Sequence, residues 1–376
     1  MSILITGANG YLGSYVVNEL LGRTRQKLIL MVRGEDNEAR TAKLWKGMQL
    51  HMDATEFHDA LKRIELVHGD LHAKDLGWDN ATRKSLLRRV TSVIHAAASL
   101  NRKSAKACFN TNLRGGMSVL MFARELANKG KLKRYSFVST VAVAGHRQDE
   151  DIEEDAAIEW TRSDYDPYAR TKKFGEHMVR EVLAGESFVI FRPGILLGDG
   201  AHERTTQFDM VRALVGLADM PVVPLRPTDR IDIVNTAYAG EAIAHIHLMP
   251  EPKYDCYHLS SGAKSPTAKE LLDSLESVGV TARLQPKLEG PFNWVFRAMN
   301  RAPRGSMVAG VGALMKVFWP YIRYNTVFLN DRVVEELGHE PVPFVEYSAD
   351  LYRWVKTHRF SYPFTALPLP GEEDAA

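Results

Sequence analysis

The chain has 376 residues, of which 45% are hydrophobic, 25% charged and 9% aromatic, a composition typical of globular proteins. Lysine and arginine number 48 against 46 aspartates and glutamates, and the resulting net charge of +2 excludes an electrostatic footprint for nucleic acid. The two cysteines, Cys108 and Cys256, fit no metal-ligand spacing and are expected to be free thiols. With no leader-like start and no apolar stretch long enough to span a membrane, we expect a cytoplasmic protein without a metal centre.

The start of the chain predicts a nucleotide site. Residues 2–6 are a short apolar run, typical of a buried parallel strand, and helical periodicity begins at Tyr11. Gly7, Gly10 and Gly13 lie between and around these elements. Glycine allows such a turn to close and allows a pyrophosphate to approach the backbone N–H groups at the helix N-terminus, where the helix dipole favours an anion.

The end of the second predicted strand, residues 27–32, bears on the choice of cofactor. Strand, helix and strand in this order begin a right-handed parallel sheet. About 20 residues after the glycines, an NAD enzyme usually carries an acid that accepts a hydrogen bond from the ribose 2′-hydroxyl. Residue 33 is an arginine, which would instead pair with a 2′-phosphate. A solvated arginine at a strand end is the alternative, and we favour NADP(H) over NAD(H).

The next segments continue the alternation of strands and helices. Strands are predicted over 64–68, 91–98, 135–140 and 188–192, a mostly helical charged insertion over 35–62, and a periodic helix over 113–126. Asp70 follows the third strand, where it can face an adenine or cap a loop. Ala96, Ala97 and Ala98 end the fourth strand, and their small side chains leave room for a cofactor. The carboxylates between residues 149 and 159 lack ligand-like spacing and are expected to form a solvated loop.

After Gly198 the strict alternation loosens. A short strand is expected over 230–234, a helix capped by Asn235 over 236–247, a strand over 257–259 and a helix over 267–277. The pattern predicts an α/β fold with a Rossmann-like doubly wound parallel sheet. We expect an NADP-binding domain over residues 1–200 and a smaller, mostly helical substrate-binding region over 201–376, interleaved with the first.

Tyr168 and Lys172 form a candidate acid–base pair. They are four residues apart in a predicted helix, so both lie on one face. An unperturbed tyrosine has a pKa of about 10, and a nearby ammonium stabilises the phenolate and brings that pKa towards the working pH. The pair can then exchange a proton with a substrate oxygen, and the lysine can also hold a ribose hydroxyl. A hydroxyl at the end of the preceding strand, on Ser139 or Thr140, can hydrogen-bond the reacting carbonyl oxygen.

Tyr352 and Lys356 repeat the spacing near the other end of the chain. No glycine-rich turn and no hydroxyl-bearing strand end accompany this second copy. We therefore assign it to ordinary helix surface and core. Only around Tyr168 do a glycine-rich turn, a hydroxyl at a strand edge and a Tyr/Lys pair occur together.

This combination resembles the extended short-chain dehydrogenase/reductase superfamily over roughly residues 1–260. Within it, the chain is most similar to the fatty acyl reductase and thioester reductase (male sterility-type) branch. The closer likeness depends on Met31-Val32-Arg33 with its long charged helix, Gly69-Asp70-Leu71 with Leu76-Gly77, Val93-Ile94-His95 and Val138-Ser139-Thr140. The superfamily motifs are Thr6-Gly7-Ala8-Asn9-Gly10-Tyr11-Leu12-Gly13, His95-Ala96-Ala97-Ala98, Thr140, Tyr168 with Lys172, and Arg192-Pro193-Gly194.

The resemblance implies roles for these residues. Thr140 is the catalytic hydroxyl, Tyr168 the proton donor and Lys172 its partner, with Ser139 as the substitute if the register differs by one residue. The cofactor is expected to contact Gly7, Asn9, Gly10, Tyr11, Leu12, Gly13, Arg33, Asp70, Leu71, Ala96, Ala97, Ala98, Asn112, Lys172, Pro193 and Gly194.

The resulting hypothesis is an NADPH-dependent reductase that transfers hydride to a carbonyl. The substrate implied is an acyl thioester, bound to coenzyme A or a carrier protein, that gives an aldehyde or alcohol. One alternative is a dehydrogenase or reductase of a lipid-like ketone or secondary alcohol, and another is a nucleotide-sugar epimerase or reductase. An NADP-sensing binding protein is a further alternative, against which Tyr168 and Lys172 both argue.

Residues 291–324 are rich in aromatic residues and methionine, and arginines and lysines lie among them. Core packing explains many of these side chains, but an adaptable apolar pocket or a membrane-facing lid would use the same residue types. Trp294 and Phe318 are the residues we would replace to test for an acyl-chain pocket. Expected partners are a small-molecule substrate and an acyl carrier protein. Because members of the superfamily commonly dimerise, the resemblance also implies a second copy of the chain.

Overall fold

Seven parallel strands form the centre of the protein. The computed structural model describes residues 1–299, 315 and 317–369. The seven strands of the large sheet are β1 (Ser2–Thr6), β2 (Lys27–Val32), β3 (Ile64–His68), β4 (Val90–His95), β5 (Arg134–Val138), β7 (Phe188–Pro193) and β11 (Cys256–Leu259). The short strands of the described residues are β6 (Asp151–Ile152), β8 (Ile195–Leu196), β9 (Val222–Val223), β10 (Ile233–Val234), β12 (Arg283–Leu284) and β13 (Val327–Phe328). The large sheet has the order β3-β2-β1-β4-β5-β7-β11, and the six short strands pair as β6 with β13, β8 with β10 and β9 with β12.

Helices cover both faces of the large sheet. The helices of the described residues are α1 (Tyr11–Arg23), α2 (Asn37–Met48), α3 (Ala54–Leu61), α4 (Asn80–Arg89), α5 (Ala105–Cys108), α6 (Gly116–Asn128), α7 (Pro167–Val182), α8 (Asp209–Ala218), α9 (Thr236–Leu248), α10 (Ala268–Ser274), α11 (Glu289–Met299), a helical segment over 317–323, and the helices Asp331–Leu337 and Phe344–Thr357. No helix of the described residues has the length and apolarity that crossing a membrane requires.

The apolar alternation within β1 explains the layering. Ile3 and Ile5 belong to the core that includes α1 and α9, whereas Leu4 belongs to the core on the opposite face, which includes α6. Because every residue of β1 is buried, the strand can only lie in the middle of a sheet that is covered on both sides. The architecture confirms the predicted Rossmann-like doubly wound fold.

The chain after residue 200 contributes both to the large sheet and to a separate core. β11 pairs with β7 at the edge of the large sheet. A separate core lies among α8, α10 and the C-terminal helix and includes Val211, Leu271 and Leu351. The chain after residue 200 thus adds a strand to the large sheet, while the division into two interleaved regions at residue 200 stays a prediction.

Two strands end earlier than the sequence predicts, and the reason is local. β4 stops at His95 and β5 at Val138, so the predicted ends at residues 98 and 140 were wrong. After β5, the Thr140 hydroxyl accepts a hydrogen bond from the Ala142 N–H at 3.3 Å and starts a short helical turn over residues 141–144. Both strands therefore end where the side chains that follow them can point into a cleft.

Other predicted bounds also shift. The insertion over 35–62 forms two helices, α2 and α3, and α6 is preceded by a π-helical turn at Phe109–Gly115. The short strand expected over 230–234 is reduced to β10, and the helix expected over 267–277 is α10. The helices α4, α8 and Asp331–Leu337 were not predicted, because their apolar positions are completed by contacts distant in sequence. The helix Phe344–Thr357 contains Tyr352 and Lys356, which their spacing assigns to a helix.

The acidic stretch between residues 149 and 159 is not simply a solvated loop. Arg147 pairs with Glu150 and with Glu159, each at 2.8 Å. Glu154 is buried and accepts backbone hydrogen bonds from His258 at 2.8 Å and from Arg332 at 2.7 Å. Burial raises the pKa of Glu154 to about 7. The prediction was wrong for Glu154 because its partners come from β11 and a C-terminal helix.

Candidate active site

A cavity of about 600 Å³ lies at the carboxyl ends of the central strands. In an open α/β sheet this edge is where ligands bind. Most of the residues predicted for the cofactor and for catalysis line this one cavity. They are Gly7, Asn9, Gly10, Tyr11, Leu12, Gly13, Arg33, Asp70, Leu71, Ala96, Ala97, Ala98, Ser139, Thr140, Tyr168, Lys172, Pro193 and Gly194.

The glycine-rich turn has the geometry of a phosphate cradle. Gly7 has a φ of 80°, and a Cβ there would lie 2.6 Å from the backbone nitrogen of Ala97. A Cβ on Gly13 would lie 1.9 Å from the Gly7 carbonyl oxygen. Gly10 precedes α1 without a side-chain cap, so the first N–H groups of the helix remain available to a ligand. These features fit the pyrophosphate of a dinucleotide.

Basic side chains surround the end of β2. Arg33 is exposed and lines the cavity, and its carbonyl oxygen accepts a hydrogen bond from Lys43 Nζ at 2.8 Å. Arg40 Nη1 donates to the Gly34 carbonyl oxygen at 3.1 Å, and Arg40 Nε is buried without a partner among the described residues. Two acids, Glu35 and Asp36, lie between β2 and α2, and Asp36 caps α2 by accepting a hydrogen bond from the Ala39 N–H at 2.7 Å. The donors here suit a phosphate better than a hydroxyl.

The remaining cofactor candidates divide into two groups. Asp70, Leu71 and the alanines after β4 line the cavity, as do Pro193 and Gly194 after β7. Asn112 does not line it, since this side chain is buried and bonded to both backbone groups of Ser99 and to Thr171 Oγ1 at 3.1 Å. Asn112 therefore lies behind the cavity wall and ties the loop after β4 to α7.

Tyr168 and Thr140 bring two hydroxyl groups to the cavity. Thr140 follows β5, and Tyr168 lies in the first turn of α7, which Asp166 caps through the Ala169 N–H at 2.8 Å. Burial raises the pKa of Tyr168 to about 12, and the positive charge of Arg102 acts in the opposite direction. Tyr168 is thus protonated at neutral pH, the state that a proton donor needs.

Lys172 is buried one helical turn further along α7. Its Nζ donates to the Val138 carbonyl oxygen at 2.6 Å and lies 6.0 Å from the centre of the Tyr168 ring. Burial lowers the pKa of Lys172 to about 8, and the charge of Glu176 opposes this shift. The sequence predicts that Lys172 lowers the pKa of the tyrosine, but the cation that opposes burial in the structure is Arg102.

Ser139 is held in a buried polar network. Its hydroxyl donates to Glu176 Oε1 at 2.5 Å, and Glu176 Oε2 pairs with Arg192 Nη2 at 2.7 Å. All three residues are buried, with exposures of 1%, 0% and 6%. The Thr140 hydroxyl makes longer hydrogen bonds, donating to the Pro193 carbonyl oxygen at 3.4 Å and accepting from the Ala142 N–H at 3.3 Å, so it is less tightly held than the Ser139 hydroxyl. Glu176 lies four residues after Lys172, a spacing that could have revealed it.

Sequence reasoning missed several other lining residues. Arg102, Tyr321 and Asp232 all face the cavity. Asp232 Oδ1 accepts the Ser261 N–H at 3.0 Å, Oδ2 has no partner among the described residues, and burial raises the pKa of Asp232 to about 7. No local motif marks these positions, because they reach the cavity from a loop, the C-terminal region and β10.

The residues singled out in the aromatic segment have different environments. Phe318 is 7% exposed and lines a groove of about 450 Å³ that adjoins the cavity. Trp294 is 71% exposed on α11. Met307, Arg301, Arg304 and Lys316 lie outside the described residues. Only part of this segment can therefore be assigned to the site.

Comparison with known proteins agrees with this geometry. The sequence profile of the male sterility protein family matches residues 5–243. A carboxylic acid reductase of Mycobacterium tuberculosis is 28% identical over 288 residues, which cover 69% of this chain and 24% of that protein. The chain spans about a quarter or less of the length of the curated relatives that it matches first.

Solved structures share the fold. The terminal R domain from the myxalamid PKS-NRPS biosynthetic pathway superposes with a TM-score of 0.80 at 22% identity, over 96% of this chain and 91% of that one. A thiolation-reductase di-domain from an archaeal non-ribosomal peptide synthetase gives 0.73 at 17% identity, over 96% and 76%. The chain belongs to the male sterility protein family, as its motifs predict.

Proposed function

We propose that the protein is an NADPH-dependent reductase of acyl thioesters. The observation that carries the proposal is the convergence of Thr140, Tyr168 and Lys172 with the glycine-rich turn in one cavity. Two hydroxyl groups beside a nucleotide cradle fit the reduction of a carbonyl. The thiolation-reductase di-domain of the archaeal peptide synthetase pairs a reductase with a thiolation domain, and this pairing supports a thioester as the carbonyl compound.

A nicotinamide cofactor would be held by the glycine-rich turn and the residues after β4 and β7, and when bound it supplies the hydride. Thr140 and Tyr168 bind the carbonyl oxygen of the substrate, and Tyr168 gives its proton to that oxygen as negative charge develops. The charge of Lys172 then stabilises the phenolate left on Tyr168. With a thioester, the resulting hemithioacetal loses its thiol and leaves an aldehyde.

The shape of the site supports a substrate on a long arm. The groove beside the cavity shares Tyr11, Leu100, Arg102 and Met210 with it. This groove continues past Lys46, Phe208, Arg212 and Phe364. Such a passage suits a pantetheine arm, whether that arm belongs to coenzyme A or to a carrier protein.

The preference for NADPH rests on the basic residues at the end of β2. Arg33→Ala should weaken NADPH binding by about tenfold or more, since a charge-assisted hydrogen bond to a phosphate is lost. The same change should leave NADH binding unchanged. Fluorescence titration with the two cofactors measures both affinities, and equal losses would contradict the preference.

Absorbance at the NADPH band tests the reaction itself. The enzyme is mixed with acyl-coenzyme A and acyl-pantetheine thioesters, and in parallel with the matching aldehydes and ketones. Oxidation of NADPH with release of a thiol supports the proposal. Turnover of ketones without turnover of thioesters would contradict it and favour a dehydrogenase of secondary alcohols.

A further inference from the structure

Arg102 is an unusual cation in the substrate part of the site. Its side chain is 16% exposed and lines both the catalytic cavity and the adjoining groove. Three aromatic rings surround the guanidinium, with centres at 5.0 Å for Tyr168, 5.4 Å for Phe318 and 4.6 Å for Tyr321. These rings orient the guanidinium but offer its N–H groups no strong acceptor.

The charge of Arg102 is only partly neutralised. The ion pair that it makes among the described residues is a long one, 3.9 Å from Arg102 Nε to Asp166 Oδ2. Asp166 is itself occupied, because it caps α7 at 2.8 Å and accepts the Tyr321 hydroxyl at 2.8 Å. The Arg102 side chain makes no hydrogen bond within the part of the chain that the structure describes, since its contact with Asp166 is longer than a hydrogen bond. Its remaining donors can therefore serve a ligand.

The position of Arg102 limits what this ligand group can be. The guanidinium lies against the ring of Tyr168, the residue that we propose as proton donor to the reacting carbonyl. The phosphate of a pantetheine arm is separated from the thioester by the whole arm, so it cannot reach Arg102 while the carbonyl lies at Tyr168. A negatively charged substrate group bound by Arg102 must therefore belong to the acyl chain, a few bonds from the carbonyl, because the part of the pantetheine arm next to the thioester carries only neutral amides.

We propose that Arg102 is a specificity residue that binds a carboxylate on the acyl chain of the substrate. The proposal rests on the thioester reductase function. A buried guanidinium that lacks a full counter-charge is best matched by a carboxylate, which accepts two parallel N–H bonds. The substrate class is then a short acyl thioester with a terminal acid rather than an unsubstituted fatty acyl thioester.

Glutaryl-pantetheine and pentanoyl-pantetheine test the proposal, since they have the same chain length and differ in the terminal carboxylate. We expect kcat/KM of the wild type to favour the glutaryl compound by about tenfold or more. Because the charge of Arg102 also acts on Tyr168, Arg102→Met should lower kcat/KM for both compounds, but it should lower the glutaryl value by about tenfold more and so remove the preference. Arg102→Lys should keep part of the preference. Lys103→Met is the matched control, because Lys103 is exposed and should change neither value.

Binding provides a readout that does not depend on turnover. In the Tyr168→Phe background, calorimetric titration should give the same preference for the glutaryl compound and its loss with Arg102→Met. If the calorimetric preference is found but the wild type turns over neither thioester, the proposed function is overturned and the role of Arg102 in binding the carboxylate stands. Equal affinities for the two compounds, or an equal effect of Arg102→Met on both, would overturn the proposal for Arg102.

Discussion

The protein contains two Tyr/Lys pairs at the same helical spacing, and their surroundings differ. Tyr168 and Tyr352 are nearly equally buried, with exposures of 7% and 8%. Lys172 is 2% exposed, whereas 45% of the Lys356 side chain is exposed. Burial of the tyrosine therefore does not distinguish the pairs, but burial of the lysine does.

The partners of the two lysines explain the difference. Lys356 Nζ donates to the Tyr352 hydroxyl at 2.9 Å and to Asp219 Oδ2 at 2.9 Å, and Tyr352 also bonds Asp219. These bonds raise the pKa of Lys356, with the hydrogen bond to Asp219 as the largest cause. Burial instead lowers the pKa of Lys172 to about 8. Spacing places two side chains on one face, and the element opposite that face decides whether they tie helices together or face a cavity.

The tyrosines give the largest expected contrast. Tyr168→Phe removes the proton donor and should lower kcat by about a thousandfold, within the range of general acid catalysis. Tyr352→Phe removes a hydroxyl far from the cavity lining and should leave kcat unchanged. Steady-state NADPH oxidation measures both, with NADPH titration as a check on binding. A fully active Tyr168→Phe enzyme would exclude Tyr168 as the donor.

Substitution of the two lysines should give the same contrast between the pairs, with a smaller change in kcat. Lys172→Met removes the charge that stabilises the phenolate, and we expect kcat to fall by about a hundredfold. Lys356→Met should leave kcat within experimental error of the wild type. If both substitutions lowered kcat equally, the distinction between the two pairs would be lost.

Activity should depend on pH through Lys172. Its pKa of about 8 means that the ammonium is charged below this pH and neutral above it. The rate of the wild type should therefore fall as pH rises, by about tenfold between pH 8 and pH 9.5. In Lys172→Arg the guanidinium stays charged, so the remaining activity should not fall over this interval. A profile that is the same in both enzymes would assign the titration to another group.

The two lysine substitutions should affect the free energy of unfolding in the opposite order to kcat. Lys356→Met breaks a partly exposed ion pair and should lower the free energy of unfolding by about 0.5–1 kcal/mol. Lys172→Met removes a buried ammonium and should leave the free energy of unfolding unchanged or raise it. Urea denaturation followed by circular dichroism measures both values. A marked loss of stability with Lys172→Met would mean that this lysine serves the fold.

The sequence predicts the parts of the site that local patterns encode. The glycine-rich turn needs small residues at Gly7 and Gly13 because neighbouring backbone lies within van der Waals distance. Tyr168 and Lys172 follow from helical spacing, and the end of β5 limits the hydroxyl to Ser139 or Thr140. The structure distinguishes these two, because only Ser139 is held by Glu176.

The other site residues depend on contacts that spacing does not encode. Arg102 meets Phe318 and Tyr321 across more than 200 positions of sequence, and Asp232 is brought beside Gly194 by the pairing of β8 with β10. Glu154 looks like one of several loop carboxylates until β11 and a C-terminal helix bury it. Long-range packing decides the environment of these side chains, so a single sequence does not reveal their roles.

Isotope transfer tests the central claim most directly. Enzyme and an acyl-pantetheine thioester are mixed in equal amounts with two equivalents of NADPH deuterated at both C4 positions, enough for reduction to the aldehyde or the alcohol, and the product is analysed by mass spectrometry. We predict an aldehyde or alcohol that carries deuterium on the former thioester carbon in the wild type and in Tyr352→Phe, and almost none in Tyr168→Phe. A deuterium-free product in the wild type, or unchanged labelling in Tyr168→Phe, would contradict the assignment of this cavity as a reductase site.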